Sequence, residues 1–329
     1  MHSRVGHDLI MTQPPPSGHK RVIVTGAAGF IGRHVLCPLV HQGFDVHAVD
    51  ISRDPEQIEA VTWHCVDLLQ SAELERLLQD IRPTHLLHFS WFVKHGDFWT
   101  SEENLRWVRA SLDLYQAFHQ VGGRRIVTSG TCAEYDWRED FLSEIGTHLG
   151  PTTLYGACKH ALQIMLSSYA DQTGMSSAWG RIFLLYGPHE SPNRLVAGVI
   201  QKLLCGEPAF CSHGKQIRDF LHVQDVADAF VALLDCDVRG PVNVASGEPV
   251  AIKDVLLEIG RQLESESLIR LGARPEAASD PPVLWADTTR LCNEVGWVPE
   301  RTLQTGLAQT ISWWKDHLCS QQDGREMKG

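Results

Sequence analysis

RVIVTGAAGFIG, residues 21–32, decides how the rest of the chain is read. A short β-branched run ends in glycine, and GFIGRHVLCPLVHQG (29–43) then carries apolar residues at helical spacing and stops at Gly43. Strand, tight turn and helix in that order open a βαβ crossover. Gly26 permits the bend, Gly29 lets backbone N–H groups approach a pyrophosphate, and Gly32 lets the helix pack on the strand. The helix N-terminus adds a partial positive charge. The next strand ends in Asp50, 24 residues beyond Gly26. A carboxylate there accepts hydrogen bonds from adenosine ribose hydroxyls and repels a 2′-phosphate, which points to NAD over NADP. Arg53 stands close enough to moderate that preference.

Working outward, FDVHAVD (44–50), VTWHCVD (61–67), THLLHFS (84–90) and RRIVTSG (124–130) read as strands, with helical stretches near 71–80 and 102–120 between them. The alternation predicts an α/β fold, a doubly wound parallel sheet of the Rossmann type covered on both faces. SSAWGRIFLLYGP supplies another strand. Beyond it, NRLVAGVIQKLLCG reads as a helix, KQIRDFLHVQDVADAFVALLD as a strand running into a helix, and PVNVAS as a strand. AIKDVLLEIGRQL and TLQTGLAQTISWWKDHL read as helices. We expect a leader over 1–19, with Met11 as an alternative start, and a nucleotide domain over 20–180. A smaller α/β substrate lobe over 181–320 interleaves with that domain, and a tail follows over 321–329.

A chain of 329 residues with a formal net charge of −11 is a poor partner for nucleic acid or an anionic membrane surface, both of which want a basic face. No run of about 20 apolar residues is present and the first residues lack a signal-peptide core. The nine cysteines form no CxxC pair and the seventeen histidines no HxH or HxxxH, so neither a disulfide framework nor a metal is indicated. These features predict a reduced, cytoplasmic protein.

YGACK (155–159) sets a tyrosine and a lysine four positions apart. Alone, that spacing is a weak signal. Together with the glycine turn, the acidic end of the second strand and VDLL after the third, it resembles the short-chain dehydrogenase/reductase superfamily. The length and C-terminal half resemble its extended branch, the nucleotide-sugar epimerases, dehydratases and reductases. The likeness runs from about residue 20 to 315, through RIFLLYGP (181–188), RDFLHVQDVADAF (218–230), NVASGEPV (243–250) and ADTTRLCNEVGWVP (286–299).

The resemblance implies a catalytic set of Tyr155, Lys159 and Thr131, with Ser129 as the fallback for Thr131. Residues four apart share a helix face, so Lys159 can sit under the Tyr155 ring. Half-ionising a phenol near pH 7 takes about 3 pK units, roughly 4 kcal/mol. A nearby ammonium and a cationic nicotinamide are expected to supply it, letting Tyr155 exchange a proton with a sugar hydroxyl. The resemblance further implies cofactor contacts from Gly26, Gly29, Phe30, Ile31, Gly32, Asp50, Ile51, Asp67, Leu68, Phe89 and Ser90, as well as from Tyr155 and Lys159. Substrate contacts fall to Trp91, Lys94, Thr131, Asn193, Arg218 and Arg274. It also implies a homodimer in which helices near 102–120 and 155–172 pair across a two-fold axis. Apolar stripes at Leu105, Val108, Leu112 and Tyr115, and at Leu162, Met165, Leu166 and Tyr169, agree with that or with simple core packing.

Several positions depart from the family pattern. Dehydratases of this branch place adjacent acids directly after the catalytic threonine; here Cys132 and Ala133 stand there, and Glu134 falls on the other side of an expected extended segment, which counts against a 4,6-dehydratase. Leu184 and Trp107 replace asparagines, and Arg274 is displaced from an Arg-x-Gly-Asp. Arg218 is kept, either to bind phosphate or to pair with a local carboxylate. Trp91, Phe92, Phe98, Trp99 and Trp107 form an aromatic-rich segment. It reads equally as a substrate pocket with Lys94 and His95 as polar contacts, or as packing under the loop or at a subunit contact. Three functions follow. The first is an NAD-dependent epimerase acting on a secondary hydroxyl, C4 foremost, of a nucleotide-activated sugar. The others are an NAD(P)-dependent ketoreductase or dehydrogenase on a deoxysugar or other carbinol, and a non-catalytic dinucleotide sensor of the same fold.

Overall fold

The computed structural model describes residues 20–52, 58–275 and 280–326. The expected leader, Arg53 and the last three residues of the expected tail lie outside the described residues. In chain order the strands are β1 Arg21–Thr25, β2 Asp45–Asp50, β3 Val61–Cys65, β4 His85–His88, β5 Arg125–Thr131, β6 Phe141–Leu142, β7 Ser176–Ile182, β8 Leu184–Tyr186, β9 Ala209–Phe210, β10 Ile217–His222, β11 Gly240–Val244, β12 Pro249–Ala251, β13 Ile269–Arg270 and β14 Val283–Ala286. The helices are α1 Gly32–His41, α2 Ser71–Ile81, α3 Glu103–Gln120, α4 Leu154–Thr173, α5 Leu195–Leu204, α6 Val223–Leu234, α7 Ile252–Gln262, α8 Thr289–Asn293 and α9 Leu303–Glu326.

Seven strands make one sheet in the order β11-β7-β5-β4-β1-β2-β3, each neighbouring pair parallel. The expected doubly wound parallel sheet is present. Alternation along β1 explains how both faces are covered. Val22 and Val24 join α1 (Val35, Leu36, Leu39) and α6 (Val226, Phe230) in one core. Ile23 joins α2 (Leu74, Leu78), α3 (Leu114, Phe118) and α4 (Leu162, Leu166) in the other. From β1 the chain winds outward to β2 and β3, then returns to β4 on its other side. The crevice outside the carboxyl ends of β1 and β4 is therefore the switch point, where α/β sheets bind ligands.

SSAWGRIFLLYGP, read as one strand, is two. β7 belongs to the large sheet, and after the buried Phe183 β8 pairs with β10 in a second one. That sheet runs β12-β10-β14-β6, with β13 and β9 forming a separate pair. α5, α7 and α9 close a third core around Ile200, Leu256 and Trp314. Between α5 and α7 the chain crosses back, packing α6 on α1 and adding β11 beside β7. Among the described residues no helix is long and apolar enough to cross a membrane.

Candidate active site

Gly26 leaves β1 with φ 69°, and a Cβ there would stand 2.8 Å from Ser90 N; at Gly32 it would stand 2.0 Å from Gly26 O. No side chain fits either place, so backbone lines the turn. Among the described residues the N–H groups of Phe30 and Ile31 donate to no acceptor of the chain, which leaves them for an anion at the start of α1. Arg33, missed in the sequence, braces the turn. Its Nη2 donates to Ala28 O at 2.7 Å, and its Nη1 lies 2.7 Å from His189 Nδ1. Asp50 Oδ2 accepts Ala28 N–H at 3.0 Å and Oδ1 accepts Ile51 N–H at 2.8 Å, with further lone pairs left for ribose hydroxyls. Asp67 closes the bend after β3 by accepting Leu69 N–H at 3.0 Å, beside the buried Leu68. Phe89 N–H donates to Thr25 O at 3.1 Å, which sets Ser90 over Gly26. The dinucleotide expected from the sequence fits this cradle.

The proton-transfer group depends on a close approach. Thr153 caps α4 by accepting Gly156 N–H at 3.1 Å. A Cβ at Gly156 would come within 2.3 Å of Ala133 O, so only glycine lets the first turn of α4 press against the segment after β5. That segment is not extended, as the sequence suggested, but a 3-10 turn over Cys132–Glu134. Thr131 caps it: Oγ1 accepts Ala133 N–H at 3.2 Å and its own N–H donates to Glu134 Oε1 at 2.9 Å. The result puts Thr131 in hydrogen-bond contact with Tyr155. The fallback, Ser129, spends its hydroxyl on His88 O at 3.2 Å.

Lys159 is buried, and its Nζ donates to Ser129 O at 2.8 Å and lies 3.9 Å from the centre of the Trp91 ring. Burial draws its pKa down to about 7, against the pull of the Glu134 carboxylate. The Tyr155 ring is half-buried but its hydroxyl lies inside, and burial raises its pKa, against the Thr131 hydrogen bond. The acidic phenol expected beside a bound cationic nicotinamide is therefore not the state of the protein alone. The ammonium is turned to Ser129 O, and desolvation dominates in the protein alone. Glu134 and Arg181 are both fully buried and joined at 2.8 Å, and Glu134 also accepts Trp179 Nε1–H at 2.8 Å. Glu134 is thereby committed to the core.

The aromatic segment faces inward. Trp91, expected as a stacking platform, is only 8% exposed. Its Nε1–H donates to Asn104 Oδ1 at 2.8 Å and its face covers Lys159. Phe98 and Trp99 stand edge-to-face against Tyr155 at 4.9 and 5.7 Å. Lys94 is exposed and pairs with Asp97 at 2.7 Å. Arg218 is buried with its guanidinium held by Asp280 at 2.6 Å and by Pro281 O at 2.8 Å, so the carboxylate pairing left open in the sequence is the one formed. Asn193 and Arg274 are exposed, Arg274 N–H donating to Cys211 O at 3.1 Å. The next residue along from Asn193, Arg194, is half-buried. It lies over the Phe98 ring at 5.6 Å and favours the Tyr155 phenolate by its charge.

Residues 22–245 match the model of the NAD dependent epimerase/dehydratase family. The chain belongs to that family. Similar to this epimerase/dehydratase family member are UDP-glucose 4-epimerase of Azospirillum brasilense, 28% identical over 91% of this chain and 92% of the relative, and UDP-glucuronic acid decarboxylase 1 of Arabidopsis thaliana, 23% identical over 93% and 72%. The crystal structure of the Thermus thermophilus UDP-glucose 4-epimerase in complex with NAD superposes with a TM-score of 0.78 at 25% identity, covering 90% of this chain and 99% of that one. NAD is the family's cofactor, in keeping with Asp50 at the end of β2. Among the described residues of this family member, no group of three or more His, Cys, Asp or Glu side chains is placed to hold a metal ion.

Proposed function

We propose that the protein is an NAD-dependent epimerase that transiently oxidises a secondary hydroxyl, C4 foremost, of a nucleotide-activated sugar. One observation carries the reading: Thr131 interacts with Tyr155 and Lys159 donates to Ser129 O on the strand that carries Thr131, while Glu134, the acid nearest Thr131 in sequence, is sealed into an ion pair. When bound, NAD⁺ supplies a hydride acceptor and a positive charge that favours the phenolate. Tyr155 Oη takes the proton of the reacting hydroxyl and returns it. Thr131 holds that oxygen in line, and Lys159 holds the nicotinamide ribose. Phe98 and Trp99 keep water from the phenol. The 4-epimerases among the relatives support a UDP-sugar as substrate.

The test supplies UDP-glucose or UDP-galactose with and without added NAD(H) and follows both the sugar and the near-ultraviolet absorbance of reduced nicotinamide. Interconversion without absorbance change is the expected result. Turnover matched by absorbance makes the protein a dehydrogenase or ketoreductase, and cofactor binding without turnover makes it a sensor. The same reading takes the molecule to be a cytoplasmic homodimer joined through α3 and α4, supported by Leu105 and Ile164, which are 55% and 53% exposed on those helices.

A further inference from the structure

His189 is held in a backbone setting that few side chains adopt. Its φ of 67° lies in the left-handed region, where a non-glycine residue stays only when its surroundings hold it. Here α1 and α9 do so. Arg33 of α1 donates through Nη1 to His189 Nδ1 at 2.7 Å, so that nitrogen carries no hydrogen. Trp313 of α9 lies 4.6 Å from the imidazole, centre to centre. His34, also on α1, donates through Nε2 to Pro188 O at 3.3 Å. The same Arg33 reaches Ala28 O inside the glycine turn at 2.7 Å. One guanidinium therefore joins the dinucleotide turn to the chain that follows β8.

The far end of that chain meets the wall beside the phenol. Glu190 N–H donates to Gly187 O at 3.2 Å, and Glu190 Oε2 accepts Ala197 N–H at 3.3 Å in the first turn of α5. Arg194 N–H donates to Ser191 O at 2.9 Å, and its guanidinium lies over the Phe98 ring at 5.6 Å. Phe98 in turn stands 4.9 Å from the Tyr155 ring. Residues 187–194 thus form a short strap, pinned at one end to the cofactor turn and at the other to the catalytic wall.

We propose that His189 is a positioning residue: through Arg33 it ties the filling of the dinucleotide turn to the seating of residues 187–194 against the wall beside Tyr155. A pyrophosphate on the Phe30 and Ile31 N–H groups fixes the turn, and with it the Ala28 carbonyl that anchors Arg33. The strap then loses its freedom once, when the cofactor binds. A second ligand that packs against the wall meets a segment already ordered, and by reciprocity it tightens NAD to the same degree. That this second ligand is a nucleotide sugar rests on the function proposed above.

The experiment is hydrogen exchange over residues 187–194, read by mass spectrometry on the full chain with and without NAD. In the wild type NAD is expected to slow exchange there by about fivefold or more, the low end of ordinary coupling between sites. His189→Ala removes the acceptor, so NAD should leave the exchange unchanged while NAD affinity stays within about twofold. His189→Asn puts an oxygen at the place of Nδ1 along the side chain and tolerates the left-handed backbone, and it should restore the protection. UDP affinity should rise about fivefold on NAD loading in the wild type and not in His189→Ala. The proposal is overturned by protection absent from the wild type, by equal protection in His189→Ala, or by failure of His189→Asn to rescue. NAD affinity that falls as far as the protection does also overturns it, as does UDP that binds the wild type equally with and without NAD. UDP that fails to bind the wild type removes the nucleotide-sugar reading, and the exchange data then decide the role of His189 by themselves.

Discussion

Tyr155 and Lys159 lie four apart on one helix face, yet each is shaped by neighbours far away in sequence. Tyr155→Phe is expected to lower turnover by at least about 10², the usual contribution of a positioned acid/base, with NAD affinity unchanged. Trp91 offers a finer test. Its ring favours the Lys159 ammonium against burial. Trp91→Leu keeps the pocket dry and removes that support, so the lysine pKa falls and the alkaline limb of the pH–rate profile moves down by about one unit. An unmoved limb would show that the indole only fills space. The glycines, Asp50, Tyr155 and Lys159 were legible in sequence because each answers a local demand at fixed spacing. The engagement of Arg218 was not, since Asp280 reaches it from a separate loop.

At the scale of elements, contact between α4 and the 3-10 turn after β5 assembles the site. Gly156→Ala would force these backbones apart, since the added carbon meets a carbonyl and not a flexible side chain. Turnover should fall well below wild type while NAD binding at the α1 turn survives; parallel loss of both would mean that the whole fold has shifted. Beneath the same turn, Glu134→Gln leaves the Arg181 charge buried and uncompensated. A destabilisation of about 3–5 kcal/mol is expected, read as a lower urea midpoint. An unaltered midpoint with lost activity would instead restore Glu134 as a chemical acid. Long elements announced themselves through their apolar period, as in α1, α6 and the strands of the large sheet. β6, β9, β12 and β13 run to two or three residues, too short to show any alternation, and so these strands went unread although β10 was legible.

Across the whole molecule, Tyr115, Leu162 and Leu166 turn inward, whereas Leu105, Ile164 and Met165 remain on the outer faces of α3 and α4. The apolar stripes thus serve partly as core, and the remainder is what a second copy would cover. Leu105→Asp combined with Ile164→Asp should give a monomer by sedimentation without lowering the melting temperature of the protomer; an unchanged sedimentation coefficient removes that interface. The return of β11 to the edge of the large sheet bears on how such a chain is made. During vectorial synthesis, the parallel sheet lacks its last strand until residues 183–239 have left the ribosome, so the outer edge of β7, paired on its other side with β5, stays open while the second lobe is being spun out. A nascent chain stalled within that interval should be more prone to aggregate than one stalled just beyond Val244.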